Sequence, residues 1–441
     1  MYSKDVEQIL KSKKIAVGDR IKIDDFEGIL MPRSDVGDTD SIVLKLDSGY
    51  NVGIKFEKGA KLEKLGHSSA KIGTAPIGNL SFDKSKPPIS LIATGGTISS
   101  RVDYKTGGVS MLMEPDEILR TTPELRDFVN IKSIKSPFRI ASEDMAPEQW
   151  QEIAKAAAKE LNTDARGIII THGTDTLHYT SAALSFMLQN LSKPVAVVGA
   201  QRSPDRASFD GGMNLACAAH YCLSDIAEVA IVMHGTTNDD YCLINRGTKV
   251  RKMHTSRRDA FRPINSLPIG KIWPDGKLDV MDGNFRMRSE SKVVADTKFE
   301  EKVAQVAVYP GSDPSIIDFY VKKGFRGIVM QTTALGHVPW DTIDAKKSWK
   351  TAVKNAIKSG VVLVSASQTL YGSTHPHVYR AAIEMDEAGV IFAKDMLPEV
   401  AYVKLGWVLG HTKDMKKARE MFLANCAGEI SERIVDEMFL Y

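Results

Sequence analysis

The chain has 441 residues, 43% of them hydrophobic and 26% charged, with a formal net charge of +3 from 58 basic and 55 acidic residues. That composition belongs to a globular protein with room for two or three domains and a large core. It does not indicate nucleic-acid binding by bulk charge, a local patch being the alternative, and no run is long and apolar enough to span a bilayer. The first residues, Met1-Tyr2-Ser3-Lys4-Asp5-Val6-Glu7, contain no apolar h-region, so a cytoplasmic protein is expected. Cys217, Cys222, Cys242 and Cys426 show no C-x-x-C spacing, and buried, reduced thiols are the expectation.

In chain order, Val6, Ile9 and Leu10 place an apolar face on a short amphipathic helix. Short runs at 19–23, 26–30, 41–46 and 50–55 then alternate apolar with polar residues between turns such as Gly37-Asp38-Thr39-Asp40 and Asp47-Ser48-Gly49. They predict a small β-barrel of SH3-like type over 1–65, with an edge extension of the main sheet as the alternative. Residues 66–87 read as a linker.

From 88 to 275 strands and helices alternate. Strands are expected at 89–93, 168–170, 194–199 and 228–233, and helices at 147–161, with Trp150, Ile153 and Ala157 on one face, and at 176–191. This βαβ order predicts a mostly parallel sheet covered on both faces. Residues 262–300 are rich in Pro, Gly, Asp and Lys and read as a final strand pair followed by a connection over 276–300. Alternation resumes over 301–425, with strands at 303–309, 327–330 and 361–365 and helices at 315–323, 349–358, 376–387, 398–409 and 415–429, the last running into a tail over 426–441. The fold class is α/β, two doubly wound domains behind a small β-module.

Two motifs carry the chemistry. Ile89-Ser90-Leu91-Ile92-Ala93-Thr94-Gly95-Gly96-Thr97-Ile98 and Ile168-Ile169-Ile170-Thr171-His172-Gly173-Thr174-Asp175-Thr176 are apolar strands that end on glycine and threonine. Glycine there permits a sharp turn and the close approach of a ligand. A threonine hydroxyl can attack a carbonyl when a neighbour takes its proton. Loops at the carboxyl ends of strands in one sheet converge on one crevice. Thr97 is the leading nucleophile candidate, with helix capping as the alternative role. Thr174 beside Asp175 offers a hydroxyl and a fixed negative charge suited to a substrate ammonium; the same pair can cap the next helix, whose amino end can also stabilise an oxyanion. His375-Pro376-His377 lacks a third ligand at a recognisable spacing and reads as loop, so no metal is expected. No phosphate-binding glycine motif is present in the sequence.

Thr94-Gly95-Gly96-Thr97-Ile98 and His172-Gly173-Thr174-Asp175-Thr176 resemble the paired signatures of the L-asparaginase family of amidohydrolases. Ser142-Glu143-Asp144-Met145, Gly199-Ala200-Gln201-Arg202, Asp210-Gly211-Gly212-Met213-Asn214-Leu215 and Gln331-Thr332-Thr333 agree in order, so the resemblance runs from about 88 to 425. It implies two asparaginase-like α/β domains and four catalytic residues, at Thr97, Thr174, Asp175 and Lys252. In such a set a lysine whose pKa is lowered toward neutrality serves as base between hydroxyl and carboxylate. The implied reaction is attack on a side-chain carboxamide, an acyl-enzyme ester, release of ammonia, and hydrolysis, with Thr97 as first nucleophile by resemblance. The resemblance also implies that Ser142 and Glu143 bind substrate, Glu143 standing where many stand-alone members have glutamine. It assigns a loop tyrosine, for which Tyr104 is the nearby candidate, with an exposed loop aromatic as the alternative reading.

Stand-alone asparaginases begin almost at their first motif, whereas here more than eighty residues precede it. That architecture, with the Asp103-Tyr104-Lys105-Thr106-Gly107 loop, is similar to the asparaginase-like D-subunit family of archaeal glutamyl-tRNA(Gln) amidotransferases. The similarity implies that the chain takes ammonia from glutamine or asparagine. A partner, the E-subunit of the amidotransferase, would then use it with ATP and Mg to convert Glu-tRNA(Gln) to Gln-tRNA(Gln). It implies no cofactor in this chain, tRNA contact mainly through the partner, a homodimer core and a heterotetramer. A free L-asparaginase with an accessory module and a catalytically idle scaffold are the alternatives.

Overall fold

Strands buried on both faces organise the protein. The computed structural model describes residues 2–31, 38–46, 51–57, 59–67, 83–96, 98, 101–102, 109–110, 122–204 and 209–441.

The amino-terminal unit begins with the helix Lys4–Ser12, whose Val6 and Leu10 are buried and whose first turn is capped by Ser3 Oγ accepting from Val6 N (3.4 Å). Five antiparallel strands follow, paired in the order Asn51–Lys55, Ser41–Lys45, Phe26–Leu30, Asp19–Ile23, Leu62–His67. Alternation puts Ile21, Ile23, Leu30, Ile42, Leu44 and Leu62 into one core with Val6 and Leu10. The strand Leu62–His67 is an addition to those expected from the sequence, because Leu62 alone carries its inward apolar signal.

The second unit is an eight-stranded sheet in the order Leu278–Val280, Gly270–Ile272, Cys242–Arg246, Val229–His234, Val195–Val198, Ile168–Thr171, Pro88–Ala93, Asn130–Lys135. The last five are mutually parallel, and the first three run antiparallel. Ile168, Ile170, Val195 and Val197 pack on the helices Pro147–Leu161 and Leu177–Met187; Ile169, Ala196 and Val198 pack on the helix Gly211–Leu223. Double-sided burial is why these segments read as continuous apolar runs rather than alternating ones.

The third unit is a parallel sheet of Val303–Ala307, Gly327–Thr332, Val362–Ser367 and Ile391–Phe392. Ser315–Lys322, Lys350–Lys358 and Arg380–Ala388 cover one face and Pro398–His411 the other. Pro398–His411 also packs against Leu177–Met187, so a single hydrophobic core is continuous across both α/β units.

Three helix boundaries depart from the sequence expectation by four residues or more. The segment expected as helix over 176–191 stops at Met187, because Leu188 and Gln189 turn to pair with Ala295 and Val294. The helix expected from 376 starts at Arg380, after a turn in which His377 N donates to His375 Nδ1 (3.2 Å). The final helix is Met415–Leu423 rather than 415–429. Beyond it the Glu429 carboxylate accepts from Cys426 N (3.0 Å) and Ala427 N (2.6 Å) and pairs with Lys404. Cys217, Cys222 and Cys242 are buried, but Cys426, in that turn, is exposed. No helix among the described residues is long and apolar enough to cross a membrane.

Lys404 and Glu429 are both fully buried, and Lys404 also donates to Ala424 O (2.5 Å). Removing one member of such a pair strands a charge in the core. Lys404→Met should therefore lower unfolding stability by about 3 kcal/mol, measured by urea denaturation. An unchanged midpoint would mean that Glu429 is compensated by its backbone donors alone.

Candidate active site

The strands Pro88–Ala93 and Ile168–Thr171 are adjacent and parallel, with Ile92 opposite Ile170 and Ala93 opposite Thr171. Both motif loops therefore leave the sheet at the same edge. Thr94 ties them together, its N–H (3.1 Å) and hydroxyl (2.8 Å) both donating to Thr171 O. The loops then come into direct contact. A Cβ on Gly96, where φ is +86°, would lie 2.3 Å from Gly173 N. One on Gly173 would lie 2.7 Å from Ser142 Cβ. Glycine is required at both positions by proximity, and at Gly96 by backbone conformation as well.

The third loop is a short 3-10 turn, Ser142–Asp144, held by Thr176 Oγ1 donating to Ser142 O (2.6 Å). It leaves Ser142 buried and Glu143 exposed. Thr97 and Tyr104 lie outside the described residues.

Lys252 completes the arrangement from 77 residues beyond Asp175. It sits on the short strand Val250–Lys252, paired antiparallel with Phe261–Pro263. Its Nζ lies 2.8 Å from Thr174 Oγ1 and 2.7 Å from Asp175 Oδ1. Thr174 is buried, the Lys252 side chain is 9% exposed, and the Asp175 side chain is 65% exposed. The carboxylate thus faces the solvent side of the site while hydroxyl and amine lie beneath it. Chemically, a neutral amine here can keep an N–H on Asp175 and accept the Thr174 hydroxyl proton. The structure brings together Ser142, Thr174, Asp175 and Lys252, with Glu143 on the rim.

Under these groups is a buried polar chain that sequence reasoning missed. Trp150 Nε1 donates to Thr180 Oγ1 (3.0 Å), whose hydroxyl then serves His172 Nε2 (2.8 Å) as donor. His172 Nδ1–H is left to donate to Gly173 O (2.6 Å). The network thus assigns a neutral imidazole, and complete burial holds its pKa down to about 4. Fixing the Gly173 carbonyl fixes the whole peptide plane, turning Thr174 N–H the opposite way. Trp150 reads in sequence as a core residue on an apolar helix face, and only its indole N–H distinguishes it from one.

The Gly199 and Asp210 segments brace the floor. A Cβ on Gly199 would lie 2.8 Å from both His172 O and Thr174 Cγ2. Asn214 Nδ2 donates to Gly199 O (3.0 Å), and its Oδ1 accepts from His234 Nδ1 (2.7 Å). The buried Asp210 carboxylate accepts from Gln201 N (3.0 Å) and Arg202 N (2.9 Å), and burial pushes its pKa up against those two bonds. Gln331-Thr332-Thr333 lies at the end of a strand in the third unit, with Thr332 Oγ1 on Ser365 Oγ (2.9 Å). Among the described residues no group of three or more His, Cys, Asp or Glu side chains could hold a metal ion.

Comparison with known proteins places most of the chain in one family. Residues 88–284 match the family model for the N-terminal asparaginase domain, and 302–422 the glutaminase/asparaginase C-terminal domain. Residues 15–65 match the GatD N-terminal domain. The D-subunit of glutamyl-tRNA(Gln) amidotransferase from Pyrococcus furiosus is 50% identical, covering 99% of each chain. The protein of that name from Thermococcus kodakarensis is 46% identical over 99% of each, and that from Methanothermobacter thermautotrophicus 43% over 98% of each. Among solved structures, the L-asparaginase of Thermococcus kodakarensis superposes with a TM-score of 0.70 at 28% identity, covering 78% of this chain and 100% of its own. A probable cytoplasmic L-asparaginase from Campylobacter jejuni gives 0.65 at 27%, covering 77% and 100%.

The buried His172 has a measurable consequence. Its pKa falls from 6.5 to about 4 on folding, so between those values the unfolded chain binds more protons than the folded one. Stability from this group is intact above pH 6.5, is lost as the pH falls toward 4, and the loss totals about 3 kcal/mol. His172→Asn keeps a donor for Gly173 O but cannot titrate. Urea unfolding at pH 7, 5.5 and 4.5 should show the slope reduced by about 1 kcal/mol per unit in that variant. Parallel curves would place the titrating group elsewhere.

Proposed function

The chain belongs to the asparaginase family, among its glutamyl-tRNA(Gln) amidotransferase D-subunit members, and from that premise we propose that it is the ammonia-releasing amidohydrolase of such a complex. The observation that carries the chemistry is the position of Lys252 Nζ, 2.8 Å from Thr174 Oγ1 and 2.7 Å from Asp175 Oδ1.

A threonine hydroxyl attacks the side-chain carboxamide of glutamine or asparagine. A new C–O bond forms as the C–N bond breaks, the hydroxyl proton passes to the departing nitrogen, and ammonia leaves an acyl-enzyme ester. Water then hydrolyses the ester and restores the hydroxyl. In our reading Thr97 attacks first, and Thr174, Lys252 and Asp175 move the proton. Lys252 accepts it only in its neutral form, and Asp175 orients the amine. Ser142 and neighbouring backbone N–H groups take the α-carboxylate of the donor, while Asp175 and Glu143 favour its α-ammonium. Tyr104 is the candidate for the loop tyrosine over the site.

The remaining features follow the same reading. The partner is the E-subunit of the amidotransferase, which supplies the ATP and Mg chemistry and most of the tRNA contact. Two copies of this chain form the core of a cytoplasmic heterotetramer. The amino-terminal sheet is an SH3-like barrel that docks the partner. A free L-asparaginase is the second reading, favoured by the superposition on stand-alone L-asparaginases. Rapid asparagine hydrolysis by the purified chain alone would select it.

Lys252→Ala and Thr174→Val should each reduce glutamine-dependent amidation by the complex about a thousandfold. Amidation with added ammonium salts should be retained. Loss of both activities would overturn the ammonia-supply role. Deletion of residues 1–65 should abolish assembly with the partner in gel filtration, and an intact complex would remove the docking role.

A further inference from the structure

The strand that carries Lys252 lies outside the eight-stranded sheet and, among the described residues, pairs only with Phe261–Pro263 in a two-stranded ribbon. Isolated two-stranded ribbons are marginal in water. Val250, Phe261 and Ile264 bury this ribbon in the main core, but apolar packing is non-directional, and a directional anchor is what holds an amine within hydrogen-bond distance of two partners.

Side chains alternate along a strand. Val250 and Lys252 face one way, Val250 into the core shared with Leu177–Met187 and Lys252 onto Thr174 and Asp175. Lys249 and Arg251 face the other way, and both end on carboxylates of the third unit. Lys249 Nζ pairs with Asp395 Oδ2, with side chains 3% and 2% exposed. Arg251 Nη2 lies 2.8 Å from Glu399 Oε1, and the Glu399 side chain is 4% exposed. Asp395 precedes the helix Pro398–His411, and Glu399 lies in its first turn.

We infer that Asp395 and Glu399 are positioning residues for Lys252, holding its strand in register from the neighbouring domain through Lys249 and Arg251. The inference rests on the role given to Lys252 above.

Two further observations support a dedicated anchor. Among the described residues Glu399 Oε2 is buried with no hydrogen-bond partner, and Arg251 pairs with the other oxygen of this carboxylate. A shift of Arg251 would strand that charge, which a buried site resists strongly. Asp395 is itself fixed, accepting from Ser431 N (3.1 Å) through its side chain and from Asn265 Nδ2 (3.1 Å) through its backbone. Lys252 immediately follows Arg251, so a displacement of about 1 Å in the Arg251 backbone passes directly to the amine and suffices to cost a large share of the rate.

The competing role for Glu399 is local: an acidic residue in the first turn stabilises its own helix through the helix dipole. A mutant cycle separates the two. Glu399→Met and Arg251→Met are made singly and together in the full chain, with Glu399→Gln as the conservative variant. Ammonia release from glutamine is measured with the amidotransferase partner present, alongside hydrogen–deuterium exchange of the peptide spanning 248–254.

Each single Met variant should lower kcat roughly tenfold with KM within about twofold, and the pair should be no worse than the poorer single. Glu399→Gln still accepts from Arg251 and should recover part of the rate. Exchange in 248–254 should rise in both Met variants. Additive losses, a change confined to KM, or unaltered exchange would overturn the inference. If the parent protein releases no ammonia, the role of Lys252 fails, while the exchange experiment still decides whether Glu399 anchors the strand.

Discussion

Gly96 rests on the Gly173 peptide, and Gly173 rests on Ser142, with no room for a Cβ at either contact. The site depends on this stacking of two loop backbones on each other and on the Ser142 side chain. It is possible because two neighbouring parallel strands deliver their loops to one edge in matched register, Ala93 opposite Thr171. A side chain at either contact would drive the loops apart and separate the groups they carry. Both motifs are therefore rich in glycine for a steric reason.

Beneath that contact the protein spends its buried polar groups on orientation. Trp150, Thr180 and His172 form a chain that ends on the Gly173 carbonyl. Asn214, His234 and Asp210 do the same for the loop after Val195–Val198. Each donor in these chains meets an acceptor, which is the condition under which a buried network rigidifies rather than weakens a core. Neutrality of His172 belongs to the same logic, since a charged imidazole there would have one ring N–H facing a hydroxyl that already points its proton inward.

The two α/β units are joined both by apolar packing and by charge. One core runs from Leu177–Met187 to Pro398–His411, and the ion pairs Lys249–Asp395 and Arg251–Glu399 cross the same boundary. The first term is non-directional and large. The second is directional, and it acts on the strand that presents Lys252. A site formed by one unit is in this way held by two.

Much of this was legible in the linear chain. Strands at 89–93 and 168–170 announce themselves because burial on both faces demands uninterrupted apolar residues, and the helix over 147–161 because one face repeats at helical spacing. The glycine–threonine loops at the strand ends pointed to one candidate crevice, and the structure sets Thr174 and Asp175 of the second loop beside Lys252. Other elements were silent: Cys242–Arg246 was not expected as a strand, and the helix after Thr176 was extended past Met187, where pairing with Val294 and Ala295 takes over. Both depend on partners far away in sequence. The sequence by itself determined the α/β class and the glycine–threonine loops at the carboxyl ends of two buried strands, because those follow from local burial and turn geometry. Family resemblance grouped Lys252 with Thr174 and Asp175, but only the tertiary structure decided the distances at which they meet, that His172 is held neutral, and that Glu399 faces Arg251, because hydrogen bonds and ion pairs select distance and direction in space, and nothing along the chain records either.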